Sequence, residues 1–263
     1  MIPLVDLKIQ YKTIKDEVDK AVLDVMASSA YIMGPKLKEF EWEFAKFCNV
    51  KYAVGASSGT TALHLALIAC GIKEGDEVIT TPSTFIATSE AISNVGARSI
   101  FVDIDERTYN IHPEKIEAAI TPKTKAIIAV HLYGQPCDMD KILDIVKRYN
   151  LKLIEDAAQA HGAEFEGQKV GTFGDIAAFS FYPTKNITTC EGGMLTTNDR
   201  ELDKRFRLLR DHGQSSRYLH TTLGLNYRMT QLEAVIGRIQ LKKLAVIRER
   251  RQRIVNLLRE GMK

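Results

Sequence analysis

Cysteine, proline and tryptophan are scarce in this sequence of 263 residues, which contains 4, 7 and 1 of them. The cysteines at positions 48, 70, 137 and 190 form no Cys-x-x-Cys pair and have no histidines at zinc-binding spacing, so no metal site is predicted. Isolated thiols are typical of a reducing cytoplasm, where we expect this protein. No apolar run approaches the roughly 20 residues of a membrane span, and the first residues lack the basic start of a signal peptide, so we expect neither.

A large excess of charge of one sign is also missing, because 36 basic and 33 acidic residues leave a net charge of +3. This balance predicts no nucleic-acid-binding surface. The arginines of the segment 248–253 are interpreted as the solvated face of a helix rather than as an anion or RNA site. With 45% hydrophobic and 26% charged residues, the chain is an ordinary globular protein of one large or two smaller domains.

Short apolar runs alternate with segments of helical periodicity along the chain. Several runs are nearly unbroken, which is typical of strands covered on both faces. The alternation predicts an α/β fold with a mainly parallel seven-stranded sheet and helices on both faces. The predicted strands are 52–56, 77–81, 98–103, 126–131, 151–155, 176–182 and 194–197. The predicted helices are 36–47, 60–70, 113–120, 138–149 and a long one that opens with a capping box at Thr230 and Glu233.

Polar and aromatic residues follow the predicted strands, and ligands of parallel sheets bind at the carboxyl ends of the strands. The turn Ser57–Thr61 opens a helix and therefore presents amide groups and hydroxyls to an anion, although serine and threonine also cap helices without a ligand. Phe85 follows the second strand and is either a core residue or a stacking surface for a ring.

Two acids and a lysine follow later strands. Glu155 and Asp156 end an apolar strand, and side-chain alternation sends them to opposite sides of it. Asp156 either meets a positive partner there or caps a helix. Lys185 follows the next strand, where an apolar pocket would lower its pKa toward use as a nucleophile, whereas most lysines lie on exposed loops.

An anion cradle, an aromatic face, a buried carboxylate and a buried lysine on adjacent strand ends match the needs of pyridoxal phosphate. The phosphate needs a helix N-terminus, the ring a stacking partner, the ring nitrogen a carboxylate and the aldehyde a lysine. The alternatives lack their motifs, since the sequence has no Gly-x-Gly-x-x-Gly turn, no P-loop and no Gly-x-Ser-x-Gly elbow.

The chain resembles the DegT/DnrJ/EryC1/StrS family of sugar aminotransferases, which are fold-type I pyridoxal-phosphate enzymes. The matching segments are, in order, IPLVDLKIQY, YIMGPKLKEFE, GASSGTTALHLAL, GDEVITTPSTFIATSEAI, VHLYGQPCDMD, IEDAAQAHGA, FSFYPTKNITTCEGG and LGLNYRMTQLEAVIG. They reach to about Arg238, so the resemblance covers nearly the whole chain. It implies a cofactor-binding large domain over 1–240, and over 241–263 the end of a long connecting helix toward a small domain that is absent or truncated.

The resemblance also implies a role for each matching residue. Lys185 would form the Schiff base and carry the proton, and Asp156 would pair with the ring nitrogen. Gln159 would contact the ring hydroxyl, and Phe85 would stack on the ring. The phosphate would be held by Gly59, Thr60 and Ser180, and from the partner subunit of a homodimer by Asn226. His131, His161 and Tyr182 receive no role beyond an expected structural hydrogen bond, and Cys190 stands where many members have glycine.

The implied reaction moves an amino group from an amino acid, in our interpretation glutamate, to a keto group of a nucleotide-linked sugar. The implied partners are therefore these two small molecules, with no nucleic acid and no membrane. Two alternatives remain open at this point. One is a sugar dehydratase relative that uses the same cofactor, against which Lys185 argues because that branch has histidine there. The other is a truncated, non-catalytic or regulatory member of the family.

Overall fold

A sheet of seven strands forms the centre of the computed structural model, which describes residues 5–262. The order of its strands across the sheet is β1-β9-β8-β5-β4-β2-β3. The strands are β1 (Tyr52–Ala56), β2 (Glu77–Thr80), β3 (Arg98–Phe101), β4 (Thr124–Val130), β5 (Lys152–Asp156), β8 (Ile176–Ser180) and β9 (Gly193–Thr197). Two short hairpins lie outside it, namely β6 (Glu164–Phe165) with β7 (Gln168–Lys169) and β10 (Gln214–Ser216) with β11 (Leu219–His220).

The helices of the described chain cover the sheet on its two faces. They are α1 (Leu7–Ser28), α2 (Pro35–Cys48), α3 (Gly59–Ala69), α4 (Ala87–Asn94), α5 (Pro113–Ile116), α6 (Met139–Tyr149), α7 (Arg200–Leu209) and α8 (Gln231–Gly261). Short 3₁₀ turns follow α5 and β4. No helix within residues 5–262 combines the length and the apolarity that crossing a membrane requires.

The five neighbouring strands β3, β2, β4, β5 and β8 run parallel, whereas β9 runs antiparallel to both β8 and β1. The carboxyl ends of the parallel strands therefore meet along one edge of the sheet. The register opposes Asp156 of β5 to Ala178 of β8. This places the end of β5 two residues from the end of β8, and the residues that follow both strands share one edge.

Side-chain alternation divides the apolar residues between two sides of the sheet. Ile128 and Ile154 belong to the core under α3 and α4, whereas Ile127 and Leu153 belong to the core under α6. Each of these four side chains is 1% exposed or less, which explains why the central strands are apolar at consecutive positions. A third core packs α2 and the start of α8 against β8 and β9.

A buried ion cluster joins α2 to α7 beside β1. The carboxylate of Glu41 accepts the amide N–H of Gly55 at 2.9 Å and a guanidinium N–H of Arg207 at 2.8 Å. It also pairs with Arg210, which is 2% exposed and donates to the carbonyl of Gly55 at 2.7 Å. Burial alone would raise the pKa of Glu41. The charges of Arg210 and Arg207 outweigh this effect and hold the pKa below its usual range.

The sequence predicted this fold correctly, and the mainly parallel seven-stranded sheet is confirmed. All seven strands occur, although the predicted strand 176–182 ends two residues earlier because its last residues enter the turn toward Lys185. The helices α1, α4 and α7 and both hairpins were not predicted. Residues 1–4 and 263 of the expected domain ranges, and the start of the first matching segment, lie outside the described residues.

Helix α8 begins with the predicted capping box. The hydroxyl of Thr230 accepts the amide N–H of Glu233, and the Glu233 carboxylate accepts the amide N–H of Thr230. The first half of α8 packs on α1 and α2, whereas its second half is exposed. Arg250, Arg251 and Arg253 are exposed as expected, whereas Arg248 is partly buried. Arg251 donates to the Asn186 side chain at 2.8 Å. The proposed division at residue 240 stays a prediction.

Candidate active site

A cavity of about 650 Å³ opens at the edge where the parallel strands end. Seven of the eight residues singled out in the sequence line it: Gly59, Thr60, Phe85, Asp156, Gln159, Ser180 and Lys185. They come from four separate stretches of the chain, 59–60, 85, 156–159 and 180–185, and the crossover connections of the sheet bring them together. The volume lies in the range of pockets that hold a cofactor or a drug-sized molecule.

The N-terminus of α3 forms one end of the cavity. The hydroxyl of Ser58 accepts the amide N–H of Thr61 at 3.1 Å. In return, the hydroxyl of Thr61 accepts the amide N–H of Ser58 at 2.9 Å. The capping alternative is therefore correct for Ser58. The amides of Gly59 and Thr60 have no acceptor among residues 5–262, so the helix still presents two free N–H donors beside the cavity.

Gly59 is also the point where α3 meets the end of β8. A Cβ atom built on Gly59 would lie 2.6 Å from the Cβ of Ser180, which is closer than two carbon atoms without a bond between them can approach. A larger residue would force these two elements apart. Glycine at this position therefore brings the Ser180 hydroxyl to the N-terminus of α3, and together they form a set of donors for an anion.

Asp156 also lines the cavity and is only 6% exposed. Its Oδ2 accepts the hydroxyl of Thr88 at 2.8 Å, and its Oδ1 accepts the amide N–H of Ala158 at 3.2 Å. Burial raises the pKa of Asp156, while the Thr88 bond and the charge of Lys185 act in the opposite direction. Asp156 ends a strand and caps no helix, so it is a buried acid aimed at the cavity.

Glu155 has a different environment, because it points to the other side of β5. Its carboxylate accepts the amide N–H groups of Gly171, Phe173 and Gly174, each at 2.8 Å, and lies 3.0 Å from Nε2 of His131. Four donors satisfy this carboxylate, so it is a structural anchor within the fold. The expectation that the two acids face opposite sides is confirmed.

His131 contacts the cavity but has no nitrogen available for chemistry there. The amide N–H of Cys137 donates to Nδ1 at 3.1 Å, so this nitrogen is unprotonated, and Nε2 carries the proton that it shares with Glu155. The expected structural hydrogen bond is thus present. His131 is a neutral, fixed side chain at the cavity wall.

Lys185 is half-buried in the turn that follows β8. Burial lowers its pKa, and the carboxylate of Asp156 partly offsets this effect. A lowered pKa increases the fraction of neutral amine, the form that attacks a carbonyl carbon. Lys185 is therefore not the ordinary exposed loop lysine, although its sequence environment permitted that alternative.

Two aromatic residues at the cavity keep much of their surface accessible. Phe85 is 67% exposed and Tyr182 is 48% exposed, yet both line the cavity. A core role for Phe85 is excluded, because its ring is not covered by other side chains. An exposed ring beside a polar cavity is available to stack on a planar ligand.

Two other residues with expected roles, Asn226 and His161, do not line the cavity. Asn226 is exposed and does not line the cavity of its own chain. His161 is buried between Phe179 and Phe181, and neither of its ring nitrogens has a partner among residues 5–262, so its expected hydrogen bond was wrong. Burial lowers the pKa of His161 to about 3, which keeps it neutral.

Cys190 has a φ of 75°, a left-handed conformation that glycine adopts without strain. The position thus suits the glycine that the resemblance led us to expect. The cysteine adopts the same backbone conformation, which is strained for a residue with a side chain. The following Glu191 lines the cavity.

Sequence reasoning missed Thr88, a fully buried residue that does not line the cavity itself but acts on it through Asp156. It holds a carboxylate oxygen of Asp156, although 68 residues separate them. The only signal in the sequence was the place of Thr88 on an amphipathic segment after the second strand. Such a place does not tell whether a threonine hydroxyl is buried or caps a helix.

The sequence of the chain matches the model of the DegT/DnrJ/EryC1/StrS aminotransferase family over residues 12–263. The chain belongs to this family. The recognition from sequence segments is therefore confirmed, as are the α/β fold class, the aminotransferase class of the family and its dependence on pyridoxal phosphate.

Three individual proteins illustrate the match. GDP-perosamine synthase of Caulobacter vibrioides is 51% identical over 225 residues, which are 85% of this chain and 61% of that protein. A pleiotropic regulatory protein of Geobacillus stearothermophilus is 45% identical over 96% of this chain and 68% of its own length. The crystal structure of NtdA from Bacillus subtilis with bound cofactor PMP is 36% identical, with a TM-score of 0.84, over 88% of this chain and 53% of that one. The chain thus spans between 53% and 68% of these proteins.

The cavity of this family member fits pyridoxal phosphate by its own chemistry. Two free amides and the Ser180 hydroxyl form an anion-binding end. Asp156 is a buried acid with only two hydrogen bonds, so a protonated ring nitrogen would offset the cost of its charge. Lys185 supplies a half-buried amine with a lowered pKa in the same cavity. No cluster of metal-binding side chains occurs in the described part of the chain.

Proposed function

We propose that this chain binds pyridoxal phosphate in the cavity and transfers an amino group from glutamate to a keto group of a nucleotide-linked sugar. The observation that carries the proposal is the meeting of Lys185, Asp156 and the α3 N-terminus around one cavity of cofactor size. The name of the 51% identical relative, GDP-perosamine synthase, supports a nucleotide-linked substrate.

The residues at the α3 end would hold the phosphate. Gly59 and Thr60 contribute amide N–H groups at the positive end of the helix dipole, and Ser180 contributes a hydroxyl. Phe85 would stack on one face of the ring, and its large exposed surface leaves the ring room to lie there.

Asp156 would hold a proton on the ring nitrogen. Pyridoxal phosphate supplies an aldehyde carbon for the amino group and a ring that withdraws electrons while the nitrogen is protonated. The hydrogen bonds from Thr88 and Ala158 favour the ionised form of Asp156, and they fix the carboxylate in the cavity. Its carboxylate would therefore favour the protonated form of the ring nitrogen.

Lys185 would bind the aldehyde and, once released, move a proton between the two reacting carbons. This second task needs the neutral amine to accept the proton and the ammonium to return it. Burial brings the pKa of Lys185 down toward neutrality, and Asp156 prevents a larger drop. Both forms of the amine thus become accessible.

The proposal is tested by the visible spectrum of the purified chain with pyridoxal phosphate. We expect a band above 400 nm that disappears when glutamate is added and returns with a keto acid. A band that does not respond to glutamate would mean binding without amino transfer. If no band forms with the cofactor in excess, the proposal fails.

A homodimer in which Asn226 reaches the cofactor phosphate of the partner stays part of the proposal. Asn226 is exposed and lies away from the cavity of its own chain, which is compatible with a role in another subunit. Sedimentation velocity of wild type and Asn226→Ala, together with the affinity for the cofactor, tests this role. We expect the variant to stay dimeric and to bind the cofactor less tightly. The cytoplasmic location also stays a prediction.

A regulatory role is the second candidate, because the relative from Geobacillus stearothermophilus is named as a pleiotropic regulatory protein. The dehydratase alternative is weaker, since Lys185 is present in the cavity. Turnover with glutamate and a nucleotide-linked keto sugar distinguishes an aminotransferase from a protein that only binds the cofactor.

A further inference from the structure

The loop that follows β4 donates a hydrogen bond to a side chain of the cavity lining. The backbone N–H of Tyr133 donates to the side-chain oxygen Oε1 of Gln159 at 2.9 Å. A backbone amide can only donate, so the Gln159 atom that it contacts must be the oxygen. The NH₂ end of the carboxamide is thereby left for the cavity, which Gln159 lines.

Tyr133 reaches this position in an unusual backbone conformation. Its φ of 55° and ψ of 17° lie in the left-handed region, which costs a residue with a side chain about 1 kcal/mol or more. Its side chain is 81% exposed and makes no contact that explains this cost. The hydrogen bond of its amide to Gln159 is the contact that this conformation produces.

The rest of the loop is held from two sides. Buried Asn110 accepts the amide N–H of Leu132 at 3.3 Å and donates to the carbonyls of Gln135 and Pro136 at 2.9 and 3.0 Å. At the ends of the loop, His131 accepts the amide N–H of Cys137 and is fixed in turn by Glu155. The Tyr133 amide is therefore presented by a rigid support rather than by a free surface turn.

We infer that the loop 131–137 is a positioning device for Gln159, with Tyr133 as the positioning residue and Asn110 as its support. The device makes Gln159 a hydrogen-bond donor toward the cavity and prevents its amide from turning over. The group that it faces is then an electron-rich oxygen, which in the proposed function is the ring oxygen of the cofactor. This second step depends on the proposed function, whereas the orientation of Gln159 does not.

The orientation is tested first in the cofactor-free protein, with Gln159→Glu and Gln159→Leu as a matched pair. Glutamate keeps an oxygen for the Tyr133 amide and loses the NH₂ donor, whereas leucine loses both. Hydrogen exchange of the Tyr133 amide, measured by NMR, should be unchanged in Gln159→Glu and at least about tenfold faster in Gln159→Leu. Equal exchange in wild type and Gln159→Leu would overturn the inference.

The donor role is tested next on the cofactor-loaded protein. The pH midpoint of its visible absorbance change should rise by about one unit or more in Gln159→Glu, because the ring oxygen then faces a negative charge instead of a donor. An unchanged midpoint in a protein that still shows the band would overturn the donor role. Absence of the band in wild type would instead count against the proposed function.

The support is tested with Asn110→Ala, and Asn94→Ala at the exposed end of α4 serves as its control. Asn110→Ala should accelerate exchange of the Tyr133 amide and move the pH midpoint in the same direction as Gln159→Glu, by a smaller amount. Asn94→Ala should change neither. If Asn110→Ala behaves like wild type in both measurements, the loop does not position Gln159.

Discussion

Asp156 and Lys185 face one cavity from the ends of β5 and β8, two strands that are hydrogen-bonded to each other. Burial raises the pKa of the acid and lowers that of the amine, so it disfavours the charge of both groups. Each charge opposes this effect on the other group. Burial and the attraction between the two groups therefore act in opposite directions on both pKa values.

Replacing Lys185 by alanine should abolish covalent capture of pyridoxal phosphate. No other lysine among residues 5–262 lines the cavity, so reduction with borohydride should leave the cofactor unattached, as mass spectrometry can show. The variant Lys147→Ala lacks an exposed lysine of α6 and should still capture the cofactor covalently, like wild type. Capture by Lys185→Ala would assign the covalent link to a different amine.

Replacing Asp156 by asparagine should leave the protein folded but impair catalysis. The rate of amino transfer from glutamate should fall at least about 100-fold, because the ring nitrogen loses the carboxylate that keeps it protonated. The experiment is a single-turnover measurement of the visible band. A rate within a few-fold of wild type would show that another group performs this task.

The same substitution predicts how the stability of the cofactor-free protein depends on pH. The folded pKa of Asp156 is raised, so its contribution to stability is present below about pH 4 and is lost as the pH rises through the folded pKa. The asparagine of Asp156→Asn does not ionise, so the variant does not lose this stability as the pH rises. Its melting temperature relative to that of wild type should therefore increase from pH 4 to pH 7. A constant difference over this range would contradict the raised pKa.

Enlarging Gly59 to alanine should weaken cofactor binding. The added Cβ would meet the Cβ of Ser180 at 2.6 Å, so the serine or the helix must move away from the phosphate end. We expect the dissociation constant to rise about tenfold or more, equivalent to about 1.4 kcal/mol, in a fluorescence titration. Gly261→Ala is the control, because its Cβ would meet no atom within 4 Å.

Much of this site follows from the sequence because its groups occupy fixed places relative to strands. Asp156 and Lys185 directly follow apolar runs, and the parallel sheet brings the ends of those runs to one edge. Thr88 and Tyr133 were missed for physical reasons. The first acts through a contact across 68 residues, and the second acts through a backbone N–H, which every residue except proline possesses.

Replacing Glu41 by glutamine should destabilise the fold without reaching the cavity. Its charge compensates Arg210, which is 2% exposed, and removal of one partner leaves the other charge buried and unpaired. We expect a loss of about 3 kcal/mol in urea-induced unfolding at pH 7. Glu39→Gln removes a half-exposed partner of Arg238 and should cost less than about 1 kcal/mol. Equal losses would mean that burial of the cluster is unimportant.

The two consecutive acids at the end of β5 make its alignment with the neighbouring strands indispensable. Glu155 is enclosed by three amides and an imidazole, and Asp156 lies in the cavity next to it. A slip by a single residue would bring Glu155 to the position of Asp156 and Ile154 to that of Glu155, leaving the anchor without its acid and the cavity with a longer one. Deletions or insertions in 152–156 should therefore be far more harmful than most point substitutions there, because they disturb scaffold and chemistry in the same event.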